Sequence, residues 1–152
     1  MPNKRIIELK TEACSVNFSL RELPLEDGCF DFDIKCVMPE KFTGFYPKSF
    51  LCRLYNDDLE RLIQHFDRHC QGLMNGSLHE SPVYTPLEGD IQIRCLDGDI
   101  EKPDDGYFSI CILFNCGKVN EDASNTYFGF ETIVDLIDLN KFCDSIRSLC
   151  FR

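Results

Sequence analysis

Apolar and polar residues alternate over CFDFDIKCV (29–37), where Phe30, Phe32, Ile34 and Cys36 fall on one face and Asp31, Asp33 and Lys35 on the other. A period of two is the mark of a half-buried strand. KRIIELK (4–10) and CSVNFSL (14–20) read as two shorter strands, LEDG (25–28) as a turn, PEKFTGFYP (39–47) as a loop and KSFLCRLY (48–55) as a further strand. The period then changes. Leu59, Leu62, Ile63, Phe66, Cys70 and Leu73 recur at helical spacing, which places them on one stripe of an amphipathic helix. Asp57 is the expected N-cap, Glu60 three positions on completes a capping box, and Gly72 is the expected stop.

A loop, NGSLHESP (75–82), leads to VYTPLEGDIQIRCL (83–96), an extended stretch broken near Pro86 and Gly89 and ending in a strand with Ile91, Ile93 and Cys95 inward. DGDIEKPDDG (97–106) reads as a loop. YFSICILFNC (107–116) is apolar at nearly every position, which predicts a central strand covered on both faces. GKVNEDASN (117–125) is a polar connection and TYFGFETIV (126–134) a strand. Asp135 or Asp138 then caps a last helix whose stripe is Leu139, Phe142, Cys143, Ile146, Leu149 and Cys150. No strand–Gly-rich loop–helix unit occurs, which excludes phosphate cradling of the P-loop or dinucleotide kind. Strands, helix, strands, helix, with hairpin-length late connections, predict an α+β fold. Its core is a mainly antiparallel sheet of about six to eight strands with two amphipathic helices packed against it. No repeat, low-complexity tract or linker divides the chain, so a single domain over 1–152 is expected, with roughly 70% of its unfolded surface buried.

Charge narrows the functional classes. The net charge is −10, from 26 acidic against 16 basic side chains. Such a surface repels nucleic acid and favours a basic partner, while acidity for solubility alone is the plainer reading. No apolar run is long enough for a membrane helix, and the first ten residues carry no secretory pattern, so the expected compartment is the cytoplasm. Ten cysteines contain no C-x-x-C pair. Most stand where the pattern calls for a small hydrophobe, which suits free packing thiols in a reducing compartment better than a disulfide framework.

Candidate chemistry is thin. His65 and His69 are four apart in IQHFDRHCQG (63–72) and would share a helix face. They lie off the apolar stripe beside Arg61 and Arg68, whose charge opposes a bound cation, so both are expected in water as polar helix residues. DGDIEKPDD sets Asp97, Asp99 and Glu101 in EF-hand-like alternation, but Lys102 and Phe108 stand where that loop needs Gly and Glu. No cysteine or serine nucleophile has a marked base. Neither a catalytic residue nor a metal or other cofactor is therefore expected. The densest feature is acidic: Glu88, Asp90, Asp97, Asp99, Glu101, Asp104 and Asp105, against Arg94 and Lys102. It is either solvated loop charge or a docking patch for a basic protein.

Several segments carry a resemblance. D-L-x-x-L at Asp58–Leu62, PLEGDI at 86–91, G-x-F-x-I at Gly106–Ile110, and an aromatic strand running into TIVDL at 132–136 and the final helix are similar to the small bacterial immunity proteins of polymorphic-toxin and contact-dependent inhibition systems (WapI-like). The likeness covers about 48–150. It implies a cytoplasmic, non-enzymatic protein that binds a cognate toxin C-terminal domain, often a nuclease, and blocks it. No toxin-contact position is carried over, and the seven acids rest on charge density alone. The alternative expectation is an interaction or regulatory module with a different basic partner.

Overall fold

The computed structural model describes residues 5–21, 28–45 and 49–150. The expected turn at 25–28 falls mostly outside them, as do residues 46–48 and the last two of the chain. The alternating stretch forms a strand, Cys29–Val37 (β3), flanked by Ile6–Lys10 (β1), Ser15–Leu20 (β2) and Phe50–Tyr55 (β4) in an antiparallel sheet ordered β1–β2–β3–β4. A helix, Asn56–Asn75 (α1), leads to a second antiparallel sheet of Ile91–Lys102 (β5), Asp105–Asn115 (β6) and Tyr127–Asp135 (β7), and Leu136–Cys150 (α2) follows. The fold is α+β, with the strands divided between two sheets. Within the expected loop at 39–47, Glu40–Phe45 winds into a short 3₁₀ helix.

One core joins the layers. α1 packs on β4 and β5, and α2 on β1, β6 and β7. Phe142 of α2 meets Phe18 of β2 at 5.5 Å and Phe66 of α1 at 6.4 Å, while Phe50 of β4 stacks on Phe114 of β6 at 4.3 Å. The sheets also touch at their edges. Glu12 N–H donates to the Ile133 carbonyl of β7 at 2.9 Å, and Arg53 N–H of β4 donates to Asp90 Oδ2 at 2.9 Å. The cysteines are all free thiols, with Cys14, Cys29, Cys52, Cys95 and Cys143 buried.

Both ends of α1 differ from expectation. The helix begins immediately after β4, so Tyr55 is its N-cap and Asp58, not Glu60, is the acid that reaches back, accepting the Tyr55 N–H at 2.9 Å. Asp57 lies in the exposed first turn with Arg61. The helix stops at Gly76, whose φ of 70° is left-handed, the conformation that favours glycine at a C-cap. Gly72 lies inside the helix for a different reason. A Cβ there would come within 2.2 Å of Leu78 Cγ, so glycine lets the chain fold back across the last turn.

β6 also differs: Phe108, Ile110, Ile112 and Phe114 are buried, whereas Tyr107 is exposed and Ser109, Cys111 and Leu113 are half-buried. The cause is the position of the helices. Both pack on the face that carries the four buried residues, as the Phe108 ring against His69 of α1 at 4.7 Å illustrates.

Asp58 is the most heavily used polar side chain in the frame. Its carboxylate, 2% exposed, accepts the N–H groups of Tyr55 and Leu87 and pairs with Arg61 at 2.6 Å, while its carbonyl accepts the Tyr84 hydroxyl. Asp58→Ala leaves two part-buried N–H donors and the Arg61 guanidinium without their shared acceptor and should cost about 2 kcal/mol of stability. Asp57→Ala, at an exposed pair, should stay within about 0.5 kcal/mol. Urea-unfolding midpoints check the contrast, and equal midpoints for the two variants would show that Asp58 anchors nothing.

Candidate functional site

The acidic residues separate into two groups. Glu88 and Asp90 precede β5 and serve the frame: Glu88 accepts the Tyr55 hydroxyl at 3.1 Å, and Asp90, half-buried, takes the Arg53 edge N–H. Burial pushes the Asp90 carboxyl above its usual range. Asp97, Asp99, Glu101, Asp104 and Asp105 lie at the far end of β5 and the start of β6. An extended strand advances about 3.3 Å per residue, so Asp90 and Asp97, the nearest members of the two groups, stand on the order of 20 Å apart. They are not one patch.

The expected loop at 97–106 is mostly strand. β5 and β6 continue as a hairpin paired out to Lys102↔Asp105. Along β5, Ile91, Ile93 and Cys95 point inward at odd positions, while further on the inward residue is Ile100, an even position. The register slips between Cys95 and Gly98, and the slip changes the phase. One extra residue in a strand turns everything beyond it over. Asp97, Asp99 and Glu101 consequently face out instead of into the core. Glycine is required at the slip, because a Cβ on Gly98 would lie 2.1 Å from the Tyr107 carbonyl oxygen.

Pairing brings further residues onto that face. Tyr107 is opposite Asp99 on one side and Asp135 on the other, and directly paired residues share a face. Tyr107 is 46% exposed, and its neighbour along the face, Ile133, is 37% exposed. The arrangement is an aromatic side chain flanked by carboxylates. The hairpin from Asp97 to Asp105 carries net −4 of the chain's −10. Asp97 is met by His79 at 3.2 Å, whose hydrogen bond holds its carboxyl below the usual range. Asp99, Glu101, Asp104 and Asp105 have no ion pair among the described residues. The hairpin tip is tied to α2, where Asn140 Nδ2 donates to the Pro103 carbonyl at 3.1 Å. Asp135 was legible only as a cap of the last helix, where its Oδ1 accepts the Ile137 N–H at 2.9 Å, and its place beside Tyr107 was not, because register is a property of paired strands.

The two helix histidines are not both in water. His69 is 0% exposed. Its Nε2 lies 2.7 Å from the Leu96 carbonyl and its Nδ1 2.7 Å from Ser81 Oγ. A carbonyl can only accept, so Nε2 carries the proton and Nδ1 accepts from the Ser81 hydroxyl. The pair resembles a serine–histidine dyad in distance alone: Ser81 is 7% exposed, so the hydroxyl is packed as a structural partner. His65 is half-buried, 5.8 Å from the Tyr84 ring. The apolar stripe of α1 was legible, but the chain over 76–90 that covers its flank was not. Among the described residues no group of three or more His, Cys, Asp or Glu is arranged to hold a metal, and no helix is long and apolar enough to cross a membrane.

No family model, curated protein or solved structure matches the chain.

Burial, working against the Leu96 hydrogen bond and Asp97, lowers the pKa of His69 below its ordinary 6.5. The unfolded chain therefore binds the proton more readily than the folded one. Stability from this residue is intact above about pH 7 and falls as the pH drops through about 6.5 towards the lower folded value. His69→Gln should be less stable at pH 7.5 and should lose part of the decline between pH 7 and 5, with the His65 contribution remaining. Denaturation midpoints across that range measure it, and an unchanged slope would mean that His69 titrates alike in both states.

Proposed function

We propose that the chain is a non-enzymatic immunity protein that binds a cognate bacterial toxin domain and occludes its active site, the toxin being a basic, nuclease-like domain. The observation that carries this reading is the outer face of β5–β6–β7, where Tyr107 stands between Asp99 and Asp135 beside a hairpin of net −4. A half-exposed aromatic ringed by charge is the usual form of an interface anchor with a polar rim. A protein that acts on nucleic acid presents Arg and Lys to phosphate. Carboxylates spaced along a strand satisfy the same groups, so the inhibitor occupies the ground the substrate would need. Long-range attraction between the −10 surface and a basic toxin speeds encounter. The likeness of the segments over 48–150 to immunity proteins rests on sequence alone and agrees with this reading.

The same face would serve a different basic partner, and the test separates the two. The reading requires a toxin domain encoded beside this chain; that domain is expressed with it, and its growth inhibition and its association with the purified protein are measured. Protection of the cells together with one-to-one binding is expected. Reversing Asp97, Asp99, Asp104 and Asp105 together should slow association about 10- to 100-fold at low salt and much less at high salt. Tyr107→Ala should act mainly by speeding dissociation. Full protection by both variants removes this face as the interface. Absence of protection by the native chain, with a different basic protein bound at the same face, moves the assignment to a regulatory module.

A further inference from the structure

A second set of side chains lies away from the acidic hairpin and has no part in the reading above. Positions 61, 65 and 68 of α1 share one helix face over two turns. With Gln64, and with Tyr84 and Thr85 of the connection, they line an open cleft of about 480 Å³. The size suits a small ligand, and the donors are of the kind that bind oxyanions.

The charges in the cleft are unequal in availability. Arg21, Arg53, Arg61 and Arg147 each hold a carboxylate. Arg61 is fixed by Asp57 and Asp58 and lies 5.4 Å over the Tyr84 ring, so it forms a wall whose charge is already matched. Arg68 holds no carboxylate among the described residues, and the Gln64 amide and Thr85 hydroxyl have no hydrogen-bond partner there. His65 Nε2 is buried beside them and is likewise without a partner among the described residues. Burial first, then His69 and Arg68, lowers the His65 pKa. The imidazole is therefore neutral at pH 7, and an arriving anion would draw a proton onto it.

We propose that this cleft is an oxyanion-binding site that takes a phosphate group against Arg68, with Gln64 and Thr85 donating to its remaining oxygens. A tetrahedral phosphate offers several acceptors to donors spread over a helix face and the connection that follows the helix, where a planar carboxylate offers two. The charged or titratable groups facing His65 are Arg61, Arg68 and His69 on α1 and Tyr84 on the connection.

The test is an NMR titration of the full chain with sodium phosphate, pyrophosphate and succinate at constant ionic strength. Saturable shifts are expected at the amides of Gln64, His65, Arg68, Tyr84 and Thr85, with the His65 pKa rising on saturation. Arg68→Gln should weaken binding about tenfold, the loss of one charge-assisted hydrogen bond. Arg94→Gln, which removes another exposed guanidinium outside the cleft, should leave it unchanged. Binding of the phosphates in preference to succinate supports a phosphorylated ligand. A preference for succinate overturns the phosphate assignment in favour of a carboxylate, such as an acidic side chain of a partner. No saturation, or equal loss in both arginine variants, overturns the site.

Discussion

A carboxylate withdrawn from water needs hydrogen bonds at both oxygens, and Asp58 finds them at the junction of β4, α1 and the chain that follows α1. Its Oδ2 takes the Tyr55 N–H at the cap, its Oδ1 takes the Leu87 N–H, and Arg61 balances the charge. The requirement is mutual, because an ionised group buried with one partner missing is far worse than no charge at all. The connection over 76–90 is thereby laid along α1. Tyr84 adds its hydroxyl to the Asp58 carbonyl and bridges to Ile93 of β5. At the far end His69 binds Ser81 and Leu96, and at the helix terminus the Gly72 carbonyl accepts from Ser77 and Leu78. A long stretch with almost no regular structure is held by hydrogen bonds to three residues of one helix.

The second sheet inherits its position from that arrangement. β5 starts where the connection is pinned, and Asp90 binds the edge of β4, so the two sheets meet around one core. From there the direction of each side chain is settled by strand phase. The slip at Gly98 reverses which side of β5 faces the core, and it does so just before the acids begin. Had the phase continued, Asp97, Asp99 and Glu101 would point among Phe108 and the helices, where unpaired carboxylates are not tolerated. Slip and acids therefore depend on each other.

This also shows what the sequence could and could not reveal. β3 was legible to its last residue, because alternation is a local signal and one buried face sets it. The apolar stripes of both helices were legible for the same reason. The start of α1 was misread because Asp57 and Asp58 are both plausible at a helix start, and only the loop that supplies Leu87 N–H selects the second. His69 looked solvated because it lies off the stripe. It is buried by residues 81 and 96, whose approach has no trace in the helix itself. The acids ran together along the chain yet separate in space, since the first half of β5 lies between Asp90 and Asp97. Tyr107 and Asp135 joined the face only through pairing.

How well the hairpin can act depends on how little it must change. Asp97, Asp99, Glu101 and Asp105 sit on the hairpin strands and Asp104 in the turn between them, with Ile100 buried beneath and the Pro103 carbonyl tied to Asn140 of α2. Their backbone is ordered before any partner arrives, so association need not bear the cost of ordering a loop, a cost that often decides affinity at equal contact area. Four carboxylates without ion pairs among the described residues are a standing repulsion, and a basic surface relieves it. Charge of this kind contributes little to the fold. Its placement on the bulged, hydrogen-bonded end of the β5–β6 hairpin, around an exposed tyrosine, is the arrangement a complementary basic surface would meet at least rearrangement.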